Sequence, residues 1–215
     1  MKRLFALLVC VVLLSCAFAQ TNLNEELVKA QQLTNVGCEK LNAGDCDGAE
    51  KCFLEAIRID ARVREAYIHL NSIYKEKRVE EAVKILESAA KVFYDDDEIW
   101  YYLANRYYQV ELFNKAIPAY KEAIKYSEIN GRDFGLVWSY YFNLANSLAR
   151  SGKCRESIVF YSKAVELKPE NANIYFNRGM NYLMLKLKDS ARLDWMKCKE
   201  LGMEGVDEYI KEYLK

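Results

Sequence analysis

The stretch Tyr141–Pro169, YFNLANSLARSGKCRESIVFYSKAVELKP, decides the fold. Tyr141, Leu144, Ala145 and Leu148 fall on one face of a helix, at the zero, third, fourth and seventh places. After a short turn a second helix carries Ser157, Tyr161 and Ala164, and a proline closes the segment. The small residues let two antiparallel helices approach, and the large ones fill the space on either side.

Outward from this stretch, the same opening position recurs as Leu33, Tyr67, Trp100, Tyr141 and Tyr175, with gaps of 34, 33, 41 and 34 residues. Three and four residues later stand Val36 and Gly37, Leu70 and Asn71, Leu103 and Ala104, Leu144 and Ala145, Arg178 and Gly179; seven later stand Lys40, Tyr74, Tyr107, Leu148 and Tyr182. The second-helix stripe recurs as Ala49, Phe53, Ala56; Ala82, Leu86, Ala89; Ala116, Tyr120, Ala123; Ser157, Tyr161, Ala164; and Ala191, Trp195, Cys198. Helix, turn, helix is written five times.

Composition agrees. With 9 Gly and 2 Pro in 215 residues there are too few turn formers for a fold of many short strands. Lys+Arg and Asp+Glu both total 31, so no cationic excess exists to neutralise nucleic-acid phosphates, and no nucleic-acid partner is expected. The single histidine, His69, excludes chemistry that needs two imidazoles; it reads as a groove or surface side chain, not a metal ligand. The chain lacks G-x-x-x-x-G-K-[ST], G-x-G-x-x-G and G-x-S-x-G. Asp45, Asp47 and Gly48 lack the further ligands of a calcium loop and read as a helix-to-helix turn, and Asp95–Glu98 reads as the acidic start of a helix. No cofactor, no metal and no catalytic residue are expected.

The small residue of the first helix and the paired small residues flanking an aromatic in the second resemble the tetratricopeptide repeat (TPR), most fully in Trp100–Lys125 and Tyr141–Pro169. That resemblance covers about 170 residues and implies an all-α fold, a right-handed superhelical solenoid of about five helix-turn-helix units. The repeats are expected near residues 30–63, 64–96, 97–137, 138–171 and 172–202. Residues 203–215, with Val206, Tyr209, Ile210, Tyr213 and Leu214 on one face, read as a C-terminal capping helix; the passage from Asp189 onward is similar to the closing segments of secreted bacterial envelope TPR proteins. Arg178, Lys40 and Asn71 depart from the repeat pattern. Around Ser127–Leu136 seven extra residues indicate either an extended connection broken at Gly131 and Gly135 or a longer preceding helix, and Asn114 is expected to cap a helix holding Pro118 near its start.

The first 19 residues, two cations followed by an apolar run and Ala17-Phe18-Ala19, read as a signal peptide cleaved before Gln20, so the chain is expected to be exported to the periplasm or envelope, or secreted. A competing reading takes Leu13-Leu14-Ser15-Cys16 as a lipoprotein signal, with Cys16 acylated and membrane attachment only in that case. Cleavage leaves Cys38, Cys46, Cys52, Cys154 and Cys198; the odd number cannot pair fully within one chain, and small buried thiols are expected more than a disulfide.

In the resembled family the first helices line a concave face, and residues one, two and five places after the opening residue face it. Those places hold Thr34, Asn35 and Cys38; Ile68, His69 and Ser72; Tyr101, Tyr102 and Asn105; Phe142, Asn143 and Asn146; Phe176, Asn177 and Met180. Amides that donate and accept at once, beside flat aromatic rings, suit an extended peptide, so Tyr101, Tyr102, Asn105, Phe142, Asn143, Asn146, Phe176 and Asn177 are the candidate peptide-binding groove. The alternative is that the asparagines bridge neighbouring helices with no ligand. The carboxylate clamp of some TPR co-chaperones is absent or heavily altered, its places holding Tyr101, Asn173 and Asn177. The expected function is a non-enzymatic interaction scaffold for a protein or peptide partner; the lipid-anchored adaptor and, more remotely, a helical-repeat hydrolase are the alternatives.

Overall fold

A computed structural model describes residues 24–75, 77–131 and 136–214. The leader, including Cys16 and the cleavage site, lies outside the described residues. These are helical throughout, with no strand among them, and form two compact units that divide between Phe93 and Tyr94.

The first unit holds α1 (residues 24–42), α2 (Cys46–Ile59), α3 (Arg64–Ile73) and α4 (Val79–Val92). The second holds α5 (Asp97–Gln109), α6 (Phe113–Asn130), α7 (Val137–Arg150), α8 (Cys154–Leu167), α9 (Ala172–Met184), α10 (Lys188–Glu200) and α11 (Val206–Tyr213). From α2 onward each helix packs on its chain neighbour within a unit, so each unit is a stack of helix pairs. Helix α1 is already helical at residue 24, ahead of the expected start near residue 30.

All fifteen residues of the second-helix stripe are buried, from Ala49 to Cys198. The central aromatic packs directly against the small residue of the first helix: a Cβ on Gly37 would lie 2.6 Å from the Phe53 ring, and one on Gly179 would lie 2.6 Å from Trp195 Nε1. The first-helix stripe is buried at the expected Tyr67, Leu70 and Tyr74, at Leu103, Ala104 and Tyr107, and at Leu144, Ala145 and Leu148, but in the third and fourth pairs the opening place yields to the residue before it, Ile99 and Tyr140, which are 0% and 2% exposed. Trp100 and Tyr141 sit at the core edge, where Trp100 Nε1 donates to the Tyr94 carbonyl at 2.8 Å and the Tyr141 hydroxyl donates to Glu128 at 2.9 Å. A polar handle that needs a partner draws the large ring outward, and an aliphatic or shielded neighbour takes the deep position. Val36, expected in the stripe, is exposed.

Four of the turns between paired helices share one geometry. Gly44 and Gly152 are left-handed, and the next residue's N–H reaches back five places, Asp45 to Lys40 O and Lys153 to Leu148 O. Glu111 and Lys186 adopt the same conformation without glycine, at φ 59° and 62°.

Of the two readings of the insertion, the longer helix is seen: α6 runs 18 residues to Asn130 and stops at left-handed Gly131, with residues 132–135 outside the described set. Pro118 lies inside α6 and Leu112 is its N-cap with no side-chain cap bond, so Asn114 does not cap it. Asp45 and Asp96 cap α2 and α5 through bonds to backbone N–H groups, which accounts for both acidic clusters as helix starts. The cysteines after the leader are free; Cys198 is buried, Cys38, Cys52 and Cys154 are half-buried, and Cys46 is exposed, against the expectation of buried thiols. Helix α11 lays Val206 and Leu214 into the core while Tyr209 and Tyr213 remain about 40% exposed, so the cap covers only part of the final face.

Candidate functional site

The eight candidate residues all belong to the second unit, on α5, α7 and α9, and all are half-buried. They flank the core stripe of the first helices, so each has one side against the packing and one toward solvent.

Their amides form a repeating node. Tyr120, from the second helix of its pair, donates through its hydroxyl to Asn105 Oδ1 at 2.6 Å; Asn143 Nδ2, from the next pair, donates to the same oxygen at 3.2 Å and to the Tyr101 hydroxyl at 3.1 Å. One repeat later the Tyr161 hydroxyl donates to Asn146 Oδ1 at 2.6 Å, and Asn177 Nδ2 donates to that oxygen at 3.3 Å. Burial pushes the Tyr120 and Tyr161 phenols far above their ordinary range, which keeps them protonated and fixes them as donors. The asparagines therefore do bridge neighbouring helices.

Bridging consumes half of their capacity. Both lone pairs of Asn105 Oδ1 and of Asn146 Oδ1 are engaged, whereas the Nδ2 donors of these two residues, and the Oδ1 acceptors of Asn143 and Asn177, bond nothing among the described residues. Each node leaves one amide donor and one amide acceptor available, held in orientation by a buried phenol.

The aromatic members are set by packing. Tyr101 lies 4.5 Å from Tyr140 and Tyr102 donates to Glu98 at 2.7 Å; Phe142 lies 5.9 Å from Tyr161, and Phe176 meets Tyr209 edge-on at 5.0 Å. A cavity of about 270 Å³ opens beside the second node, lined by Tyr108, Arg150 and Asn181 besides Asn146, Tyr161 and Asn177. Sequence reasoning missed those three. Tyr108 and Arg150 come from the last turns of α5 and α7, beyond the places considered, and Asn181 is held by Ser157 Oγ at 2.9 Å, a partner from the preceding pair that no helical period announces. Of the altered clamp places, Asn173 is exposed at the start of α9 and its N–H serves the Asn171 cap.

Comparisons with known proteins agree with this architecture. A family profile described as "Tetratricopeptide repeat" matches residues 71–132, and one described as "TPR repeat" matches residues 145–185. Over 74 residues the chain is 36% identical to the UDP-N-acetylglucosamine--peptide N-acetylglucosaminyltransferase of Giardia intestinalis, covering 34% of this chain and 5% of that protein. Over 166 residues it is 30% identical to the TPR repeat protein oca3 of Schizosaccharomyces pombe, covering 69% of this chain and 56% of that one. The chain thus spans a twentieth of the first relative and just over half of the second. Among solved structures, MamA superposes with a TM-score of 0.69 at 22% identity, covering 83% of this chain and 98% of that chain. YrrB, described as a TPR protein with an unusual peptide-binding site, superposes with a TM-score of 0.71 at 19% identity, covering 84% and 90%.

Proposed function

The chain is built of tetratricopeptide repeats, and on that premise we propose that it is a non-enzymatic scaffold that binds an extended peptide segment of a protein partner along α5, α7 and α9. The observation that carries the reading is the half-used amide node: a donor and an acceptor left over at each of two successive repeats match the N–H and C=O that an extended backbone presents. Tyr101, Tyr102, Phe142 and Phe176 add flat apolar contact at low entropic cost. The peptide-binding site named for YrrB supports the same use of the fold. The transferase name belongs to a protein of which this chain spans 5%, and it carries no activity over.

The test is a peptide selected from a display library on the intact chain, followed by titration against variants. Asn143→Ala with Asn177→Ala is expected to weaken that peptide severalfold or more. Each substitution also removes an inter-repeat bond, at about 1 kcal/mol of stability. The control is Val159→Ala with Leu193→Ala, exposed residues of α8 and α10 that lie outside the nodes. Equal loss in both pairs, or no loss in the asparagine pair, would refute the reading.

The proposal extends to location. Export to the envelope rests on the leader, with cleavage before Gln20 preferred and acylation at Cys16 the competing route suggested by Leu13-Leu14-Ser15-Cys16. The intact mass of the exported protein is expected to match a chain starting at Gln20 without an acyl group. A mass matching an acylated chain from Cys16 would make it a membrane-anchored adaptor instead.

A further inference from the structure

The node of the second unit has a counterpart in the first, with different chemistry. The position of Tyr120 and Tyr161 is held by Phe53, that of Asn105 and Asn146 by Cys38, and that of Asn143 and Asn177 by His69. The geometry is kept: Phe53 lies beneath Gly37, its ring stacks on the His69 imidazole at 5.1 Å and 13°, and His69 Nε2 lies 3.3 Å from Cys38 Sγ. Phenylalanine brings no hydroxyl, so the thiol takes the imidazole as its partner. A phenol, an amide and an amide have become a phenyl ring, a nucleophile and a base.

The pair opens into a cavity of about 340 Å³, large enough for a small organic ligand, lined by Gln31, Thr34 and Asn35 of α1 and by Val63, Glu65 and His69 at and within α3. Glu65 is its one charged lining residue. Burial, and then the Glu65 charge, hold the Cys38 thiol above its ordinary range, so the resting group is S–H, and the imidazole at hydrogen-bond distance is the acceptor for its proton. Once protonated, the imidazolium shares the cavity with the Glu65 carboxylate. Thiol–disulfide exchange needs only a thiolate, a proton acceptor and access.

We infer that Cys38 is a thiol–disulfide exchange site for small disulfides that carry an ammonium group. His69 Nε2 takes the Cys38 proton; the thiolate attacks one sulfur of the incoming disulfide, the old S–S bond breaks, and a new one joins Cys38 to half of the reagent. The other half leaves with the electron pair of the broken bond and takes the proton from His69. The small disulfide is the oxidant, and Glu65 selects for positive charge.

The test exposes the full chain to cystamine and to the anionic 3,3′-dithiodipropionate and follows adducts at Cys38 and Cys46 by intact mass and peptide mapping, with Cys38→Ser identifying the site. Cys38 is expected to form the cystamine adduct roughly tenfold faster than in His69→Phe, which keeps the stack on Phe53 but removes the base. His69→Gln serves the same comparison if the Phe variant loses helicity. The wild-type preference for cystamine over the anionic reagent is expected to collapse toward parity in Glu65→Gln. Equal Cys38 rates with and without the imidazole would overturn the proposal, as would labelling of exposed Cys46 while Cys38 stays unmodified. A charge preference indifferent to Glu65→Gln would overturn the selection for cations.

Discussion

Replacing Arg178 by Ala is expected to destabilise the second unit by about 3 to 5 kcal/mol, read as a loss of unfolding free energy in urea. Arg178 stands where the other four pairs carry Val36, Leu70, Leu103 and Leu144, and the residue one place before Trp195 is Asp194, where the third pair has Ala119. The two departures answer each other. Arg178 Nη2 and Nε donate to the two Asp194 oxygens at 2.7 and 2.9 Å, Nη1 donates to Ser162 Oγ at 2.9 Å, and the guanidinium lies 5.5 Å from the Tyr175 ring. Their side chains are 16% and 7% exposed, so removing the guanidinium strands a buried carboxylate. The pair itself adds far less than its loss costs, because bringing two charges out of water offsets most of their attraction. Arg178→Leu with Asp194→Ala, which restores the apolar residues of the other pairs, is therefore expected to unfold within about 1 kcal/mol of the wild type or above it. A single Arg178→Ala loss under about 1 kcal/mol, or a double variant as weak as the single, would show that the pair is not insulated from water.

That pair also marks where sequence reading stops. Periodicity identified the stacked helix pairs, the buried second-helix stripe and the eight flanking residues, because burial of one helix face every three to four residues is written directly in residue type. Arg178 was visible as a departure, but its partner lies 16 residues away, one place off the stripe, and only the crossing of α9 and α10 joins them. The displacement of the deep position to Ile99 and Tyr140 was hidden for a related reason. Trp100 and Tyr141 are large enough to define a repeat, yet a ring with a donor settles where that donor finds an oxygen, and this depends on neighbours that periodicity does not name. At the candidate site the residue types were legible and their division of labour was not. Each asparagine spends one end on a neighbouring helix, and the phenol that fixes it comes from the apolar stripe of the second helix, where Tyr120 and Tyr161 had been read as packing alone.

The same phenols give the protein an alkaline limit. Between about pH 10 and pH 12 the helices are expected to unfold cooperatively, with phenolate absorbance and loss of helicity rising together. Burial first, then the Glu50 carboxylate, push Tyr74 up to about 12; burial and Glu128 do the same for Tyr141, and Tyr120, Tyr140 and Tyr161 are pushed higher still. A phenol whose folded pKa stands above its unfolded value of 10.0 is protonated in both states below pH 10, so its full contribution is present there. Above that pH the unfolded chain gives up the proton and the folded chain withholds it, which lowers stability by about 1.4 kcal/mol per pH unit for each such phenol until the folded group also titrates. Four of the five belong to the second unit, so their slopes add within one cooperative body, and a domain with stability on the order of 5 to 15 kcal/mol is exhausted within a few pH units. Tyr120→Phe with Tyr161→Phe removes two of the withheld protons and is expected to flatten the decline of stability above pH 10, although the lost node bonds lower the starting value. Phenolate absorbance that reaches its full amplitude while helicity persists would show that these hydroxyls are open to water, and the nodes built on them could not then hold the asparagine amides in fixed orientation.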